Sequence, residues 1–90
     1  MNITVVIPAL NEEACIGRLV SSLPRPLVSR VIVVDNRSTD RTAEVARAAG
    51  ATVIRQEQRG YGNACAAGAR AASDADIVVF MDGDLSDDPA

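Results

Sequence analysis

Three short apolar runs, each followed by a polar cluster, most limit what this chain of 90 residues can fold into. They end at Ile7, Val34 and Met81, and the clusters that follow begin at Asn11, Asp35 and Asp82. Continuous apolar runs of this length are typical of strands buried on both faces of a parallel sheet. In such sheets the carboxyl ends of the strands lie at one edge, where α/β folds bind their ligands. We therefore predict an α/β fold whose polar clusters meet in one crevice.

Residues with helical spacing separate the apolar runs, so the chain is expected to alternate strand and helix. Pro8 is expected to end the first strand, and Asn11 is a candidate N-cap of the first helix. Gly50 is expected to follow the second helix directly, and 60–63 to form a loop. The predicted strands are 2–7, 30–35, 52–56 and 76–81. The predicted helices end near Leu23, at Ala49 and near Ala72. The third helix is predicted to begin at Ala64 and to place four small residues on one face, namely Cys65, Gly68, Ala69 and Ala72.

The predicted fold class is a Rossmann-like α/β half-domain with a four-stranded, mainly parallel sheet and helices on both faces. We expect the strand order 3-2-1-4, which sets strands one and four side by side, so that Glu12 and Asp82 flank one crevice. A helix start is predicted at Pro89, close to Ala90. We interpret residues 1–90 as the amino-terminal, incomplete part of a larger domain.

Composition excludes several classes of function. The net charge is −3, and the nine basic residues are all Arg and scattered, so no basic stripe indicates nucleic-acid binding. The chain has no His, so its chemistry must depend on carboxylates, amides, Arg and the backbone. No apolar run approaches the ~20 residues of a membrane span, and the amino end lacks the basic region of a signal peptide. We predict a cytoplasmic location, with the cytoplasmic face of the membrane as the alternative for a full-length protein; the sequence gives no oligomeric state.

Asp82-Gly83-Asp84 places two carboxylates one residue apart after the fourth predicted strand. Carboxylate oxygens suit Mg²⁺ or Mn²⁺, which commonly take one or two protein carboxylates and complete their shell with phosphate oxygens and water. Gly83 allows the backbone to approach a ligand closely. The alternative is a polar turn whose aspartates cap the next segment, and this pattern in isolation favours the turn.

Two further polar clusters have both a functional and a structural interpretation. Asp35 and Asn36 are predicted to accept hydrogen bonds from a base edge or a ribose hydroxyl, whereas Asp40 is predicted to cap the second helix. Glu12 either reaches a ligand or interacts with the helix dipole, and taken alone it favours the dipole. The glycines of 60–63 are predicted to serve a turn and close packing, because Cys65 stands where a dinucleotide fingerprint needs Gly.

Taken together, these segments resemble the amino-terminal half of the glycosyltransferase family 2 enzymes with the GT-A fold. Within that family they look most similar to the dolichyl- or polyprenyl-phosphate sugar synthases. The resemblance rests on 5–13, 31–42, 60–64 and 79–85. It implies a nucleoside-diphosphate sugar, GDP- or UDP-linked, bound through Mn²⁺ or Mg²⁺ for inverting transfer to a polyprenyl phosphate or another acceptor.

The resemblance also implies roles for individual residues. The side chains at 8, 10 and 12 would line the nucleoside pocket, and those at 34 and 36 would contact the base. Asp84 is expected to be the direct metal ligand, with Asp82 nearer the ribose and the metal-bound waters. The metal would stabilise the departing nucleoside diphosphate. The predicted nucleotide-sugar-binding residues are Pro8, Leu10, Glu12, Val34, Asp35, Asn36, Asp82, Gly83 and Asp84, of which Asp82 and Asp84 are the metal pair.

The chain departs from the family pattern at one residue and in its extent. Many members carry Asp where this chain has Asn36, and an amide adds no charge. The acceptor half, which supplies the catalytic base, is not represented, so no residue is assigned as that base. Two alternatives stay open: a phosphatase of the haloacid-dehalogenase type with Asp82 as nucleophile, and a nucleotide-binding module without catalysis.

Overall fold

The computed structural model describes residues 1–82, which form one sheet flanked by helices. All three strand pairs are parallel, and the sheet order is β3-β2-β1-β4, which confirms the predicted fold class and strand order. The elements in chain order are β1 (Ile3–Ala9), α1 (Ile16–Ser22), β2 (Arg30–Asp35), α2 (Thr42–Ala48), β3 (Thr52–Arg55), α3 (Tyr61–Ala71) and β4 (Ile77–Phe80).

The two central strands, β1 and β2, are buried on both faces, which explains their continuous apolar sequence. Because successive side chains of a strand point to opposite faces, each strand contributes to two cores. One core joins the sheet to α1 and α2, and the other joins it to α3. The first includes Val5, Ile7, Ile16, Val20, Val31, Val33 and Ala46, and the second includes Val6, Ile32, Val34, Ala64 and Ala72.

Helix α3 lies close against the centre of the sheet because Gly68 faces it. A Cβ atom at Gly68 would lie 2.2 Å from Val6 Cγ1 and 3.2 Å from Val34 Cγ2. The predicted contact face of small residues is therefore correct at Gly68 and at Ala72, which is buried. It is wrong at Ala69, which is exposed.

Strand β1 continues through Pro8 and Ala9, so the prediction that Pro8 ends the strand was wrong. The carbonyl of Val6 accepts from the Met81 amide, and the carbonyl of Ala9 accepts from the Asn36 amide. The backbone polar groups of successive β1 residues thus face β4 and β2 alternately. The nitrogen of Pro8 is on the β4 side, at a point beyond the end of β4. Proline removes no ladder hydrogen bond there.

Two predicted helix starts were also wrong. Asn11 has φ of +54°, which is left-handed, and α1 begins only at Ile16 after a turn closed by the carbonyl of Glu12. Helix α3 begins at Tyr61, so most of 60–63 is its first turn and not a loop. Gly60 and Gly50, with φ of +124° and +103°, do occupy the turn and helix-end positions predicted for them.

Candidate functional site

A pocket of about 270 Å³ opens at the carboxyl edge of the sheet, beside the ends of β1 and β2 and the start of α3. It brings together five of the residues predicted from the sequence: Pro8, Leu10, Glu12, Asn36 and Asp82. The remaining lining residues, which the sequence analysis did not assign to a site, are Ala9, Arg59, Gly60, Tyr61 and Ala64. The available signal for them was the glycine pattern around Tyr61, which follows β3 at this same edge.

The charged groups of the pocket are two carboxylates and one guanidinium. Asp82 is exposed and Glu12 is half-buried, and both line the same cavity as the exposed Arg59. Within residues 1–82, none of the ion pairs includes Arg59. Such a cavity can hold a ligand that carries phosphate groups together with hydroxyl groups, because the guanidinium suits the former and carboxylates accept from the latter.

Glu12 is positioned by a set of hydrogen bonds between the loop after β1 and the loop after β2. Its backbone amide donates to Oγ1 of Thr42 at 2.8 Å. The Asn11 amide donates to Oγ of Ser38 at 3.0 Å, and Oδ1 of Asn11 accepts from the Thr39 amide at 2.8 Å. Asn11, in its left-handed conformation, therefore connects the two loops. Glu12 does not lie in the first turn of α1, which begins four residues later, so the helix-dipole interpretation of Glu12 is wrong.

Asp40 accepts hydrogen bonds from both loops. Its Oδ1 accepts from the Thr42 amide at 2.9 Å and from the Thr42 hydroxyl, and its Oδ2 accepts from the Glu13 amide at 3.2 Å. Burial alone would raise the pKa of Asp40, but these hydrogen bonds outweigh it and hold the pKa below its ordinary value. The N-cap of α2 is Arg41, so the prediction that Asp40 occupies the cap is wrong by one residue. Asp40 instead binds the first helical amide, that of Thr42, and the loop before α1 as well.

Two of the predicted nucleotide contacts, Asp35 and Val34, are not among the residues that line the pocket. Asp35 is buried, and its Oδ1 accepts from the Ser38 amide at 3.0 Å, while Oδ2 lies 3.7 Å from Nη1 of Arg55. Val34 is fully buried in the core beneath α3. Both residues are placed to shape the edge of the sheet next to the pocket.

Asn36 lines the pocket, but its side-chain amide is directed to the backbone after β3. Nδ2 donates to the carbonyl of Gln56 at 3.1 Å and to that of Gln58 at 2.8 Å. Oδ1 accepts from the amide of Gly60 at 3.0 Å. The side chain that was expected to contact a base therefore holds a wall of the pocket.

Tyr61, the first residue of α3, provides the aromatic surface of the pocket. Interaction with the neighbouring Cys65 side chain, followed by burial and by the negative charge of Asp82, raises the pKa of Tyr61. Its phenol is therefore protonated at neutral pH, so the hydroxyl can donate a hydrogen bond while the ring offers an apolar face.

A divalent cation fits the rim of this pocket. Asp82 presents an exposed carboxylate there, and hard oxygen donors of this kind suit Mg²⁺ or Mn²⁺. The other two residues of the predicted motif, Gly83 and Asp84, lie outside the described residues. Within residues 1–82, no three side chains of the metal-binding types form a cluster. The described part of the chain also contains no helix that is long and apolar enough to cross a bilayer.

The sequence matches the family model described as Glycosyl transferase family 2 over residues 4–90. Two curated relatives come from Mycobacterium tuberculosis. One is an uncharacterized glycosyltransferase, 44% identical over 86 residues, with 96% of this chain and 38% of the relative covered. The other is glucosyl-3-phosphoglycerate synthase, 45% identical over 94 residues, with 92% of this chain and 29% of the relative covered. The chain thus spans about a third of the length of these relatives.

Solved structures of M. tuberculosis glucosyl-3-phosphoglycerate synthase share the fold described above. The complex with Mn²⁺, UDP and glucosyl-3-phosphoglycerate has a TM-score of 0.79 and 40% identity, over 91% of this chain and 33% of that one. The complex with Mg²⁺ and UDP gives the same TM-score of 0.79. A third complex holds Mn²⁺, UDP-glucose and phosphoglyceric acid, with a TM-score of 0.78.

These matches favour the glycosyltransferase hypothesis over the phosphatase one, because family and fold agree across nearly the whole chain. The predicted similarity to the polyprenyl-phosphate sugar synthases in particular is not confirmed by them. The parallel sheet, the pocket at its carboxyl edge and the match over residues 4–90 lead to one conclusion. The chain belongs to glycosyl transferase family 2.

Proposed function

We propose that residues 1–90 form the donor-binding part of a metal-dependent glycosyltransferase that uses a UDP-linked sugar. The observation that carries the proposal is the pocket at the carboxyl edge, which joins an exposed carboxylate at Asp82 to the residues at the end of β1. Support comes from the relatives of the same fold, which hold UDP with Mn²⁺ or Mg²⁺.

In this proposal Asp82 and Asp84 hold the divalent cation, with Gly83 between them. The cation supplies positive charge that stabilises the departing diphosphate. Asp84 would be the direct ligand, and Asp82, on the rim of the pocket, would hold the cation through its waters and would lie nearer the ribose.

The rest of the pocket binds the nucleoside and its phosphates. Pro8 and Leu10 provide apolar walls for the base, and Tyr61 lines the same pocket. Glu12 accepts a hydrogen bond from a donor hydroxyl, and Arg59 provides the positive charge for phosphate.

The buried residues at the end of β2 act beneath that surface. Val34 keeps α3 at its distance from the sheet, and Asp35 fixes the amide of Ser38. Their proposed effect on the nucleotide is therefore indirect.

UDP is the proposed nucleotide and GDP is not, because the solved relatives contain UDP or UDP-glucose. The lipid-phosphate acceptor inferred from the resemblance finds no support among these relatives, one of which was crystallised with phosphoglyceric acid. No residue of 1–90 is assigned as the catalytic base. Inversion and transfer are proposed for the whole protein, since the chain spans about a third of its relatives.

The proposal is tested by thermal unfolding of the complete polypeptide that the gene encodes, with and without Mn²⁺, UDP and GDP. A ligand at about 100 times its Kd stabilises the folded state by about 2.7 kcal/mol, which shifts the midpoint by several degrees. We expect UDP to give this shift only with Mn²⁺, and Asp82→Asn to lose it. Asp74→Asn is the matched control, because Asp74 pairs with Arg30 at the opposite edge of the sheet. Equal shifts with and without metal, or none with UDP, would contradict the proposal.

A further inference from the structure

The side chain of Asn36 links the end of β2 to the segment that connects β3 with α3. Asn36 follows β2 directly and is only 6% exposed. Its three hydrogen bonds, to the carbonyls of Gln56 and Gln58 and from the amide of Gly60, lie between 2.8 and 3.1 Å. All three partners are backbone atoms, so the contacts are independent of the side chains in that segment.

The chemistry of these partners requires an amide. The two carbonyl oxygens need N–H donors, and the Gly60 amide needs an acceptor. A planar carboxamide supplies two donors and one acceptor group on one side chain, whereas a carboxylate supplies acceptors only. Both N–H groups of Asn36 are thus engaged by the backbone, and the oxygen that was predicted to accept from a base already accepts from the Gly60 amide.

The segment that Asn36 holds is a wall of the pocket. Arg59, Gly60 and Tyr61 all line the cavity, and Gly60 precedes the first turn of α3. Gly60 has φ of +124°, a conformation that glycine adopts readily and that directs the chain into the helix. The Asn36 contact to the Gly60 amide therefore lies at the point that sets where Arg59 and Tyr61 stand.

We propose that Asn36 is a positioning residue, which holds the Arg59–Tyr61 wall of the donor pocket in place through its amide and does not read the base. The nucleotide part of this inference rests on the proposed function. Its structural part, the attachment of segment 56–60 by one side chain, can be measured without any ligand.

The positioning role and the base-reading role predict different orders of UDP affinity among variants of Asn36. Asn36→Asp keeps the acceptor for Gly60 but sets a carboxylate oxygen against the carbonyls of Gln56 and Gln58, where like partial charges repel. Asn36→Ala removes all three contacts but lets water from the pocket replace them. Positioning predicts that affinity for UDP falls in the order wild type, Asn36→Ala, Asn36→Asp. An acceptor that reads the base would leave Asn36→Asp close to wild type and make Asn36→Ala the weakest.

Asn2→Asp is the matched control for the change from amide to carboxylate. Asn2 precedes β1 at the opposite edge of the sheet, and its Oδ1 accepts from the Thr4 hydroxyl at 2.7 Å. A carboxylate preserves this contact while adding the same charge away from the pocket. We expect this variant to bind UDP within about twofold of wild type, a smaller difference than the loss of one buried hydrogen bond.

The experiment combines amide hydrogen exchange with calorimetry on the complete encoded polypeptide. Exchange is measured without ligand on peptides covering 56–62, and the Kd for UDP and GDP is measured with Mn²⁺ well below each variant's melting midpoint. For Asn36→Asp we expect faster exchange confined to 56–62 and UDP binding weaker by about tenfold, the loss of a buried hydrogen bond. The ratio of the UDP and GDP affinities should stay unchanged.

Several outcomes would overturn the inference. Unchanged exchange in 56–62, UDP affinity of Asn36→Asp within twofold of wild type, or a changed ratio of UDP to GDP would each do so. Asn36→Ala supplies the exchange measurement if Asn36→Asp does not fold. Absence of UDP binding by the wild type would overturn the proposed function, while exchange would still decide whether Asn36 holds the segment.

Discussion

The backbone amide of Glu12 donates a 2.8 Å hydrogen bond to Oγ1 of Thr42, across 30 residues of chain. Thr42 is fully buried at the start of α2, and its hydroxyl donates in turn to Asp40. One hydroxyl group therefore fixes the backbone at a pocket residue from an element that does not itself line the pocket. Thr42 is thus a determinant of the site, although the sequence analysis assigned no role to it.

Replacing Thr42 by Val removes this hydroxyl while keeping the shape of the side chain. We expect Thr42→Val to lower the free energy of unfolding by about 1–3 kcal/mol, because the Glu12 amide loses its acceptor in a partly buried position. Urea unfolding measures this change. Thr42→Ser keeps the hydroxyl and should lose less. A loss in Thr42→Ser as large as that in Thr42→Val would show that the methyl group contributes as much as the hydrogen bond, which contradicts the prediction.

The carboxylate of Asp40 makes stability depend on pH in the acid range. Burial alone would raise the pKa of Asp40, but hydrogen bonds from Thr42 and Glu13 outweigh it and hold the pKa below its ordinary value of 3.8. The stabilisation is therefore fully present above that ordinary value and is lost as the pH falls through the lower folded one. We expect the melting midpoint to depend less steeply on pH below about 4 in Asp40→Asn than in wild type.

A separate acid-sensitive pair provides the comparison. The hydrogen bond and charge of Arg30 lower the pKa of Asp74 in the same direction, at the opposite edge of the sheet. Because the two sites share no partner, the effects of Asp40→Asn and Asp74→Asn on the slope should add. A slope that Asp40→Asn leaves unchanged would exclude a role for Asp40 in acid stability.

Gly68 and Gly62 lie in the same helix but differ in the space around them. A Cβ atom at Gly68 would lie 2.2 Å from Val6, whereas one at Gly62 would have no atom within 4 Å. We expect Gly68→Ala to destabilise the fold by about 1–3 kcal/mol or more through overpacking. Gly62→Ala should be neutral or stabilise by about 0.4–1 kcal/mol, because it reduces the freedom of the unfolded chain. Chemical denaturation of both variants tests the packing of α3, and similar values would contradict it.

The ring of Tyr61 is expected to contribute to nucleotide affinity more than its hydroxyl does. Tyr61 lines the pocket and is 58% exposed, so its ring offers apolar surface to a base whereas its hydroxyl would exchange one exposed hydrogen bond with water for another. Tyr61→Phe should therefore bind UDP nearly as well as wild type, and Tyr61→Ala should lose about 1 kcal/mol of binding free energy. Calorimetry with UDP and Mn²⁺ checks both values. A loss in Tyr61→Phe as large as in Tyr61→Ala would assign the contact to the hydroxyl.

The buried central strands β1 and β2 were predictable because strands covered on both faces have a continuous apolar sequence. The same pattern did not distinguish β4, which lies at the edge of the sheet with Ile77, Val79 and Phe80 exposed. Helix starts were less predictable because contacts distant in sequence override local capping preferences. Asn11 is of a residue type favoured at N-caps, but its side chain accepts a hydrogen bond from the Thr39 amide of the adjacent loop, and the helix begins later. Tyr61 follows a glycine and was assigned to a loop, although Gly60 accepts the hydrogen bond of the first helical turn.

The same limit applies to the site. Polar residues at the strand ends were correctly expected in one crevice, since topology alone places them there. The orientation of each side chain depends on its partners, as Asn36 and Asp35 illustrate by bonding to backbone groups. Arg59 could be assigned to the pocket only after the register of β3 and the start of α3 were known.

Strand β4 leaves one flank of the sheet without a neighbouring strand among residues 1–82. It also carries Ile77, Val79 and Phe80, which are 43%, 40% and 44% exposed. An open strand edge with apolar side chains is a template on which further chains can add. A preparation limited to residues 1–90 is therefore expected to aggregate as its concentration rises. Charged substitutions at the exposed positions of β4 should reduce that aggregation.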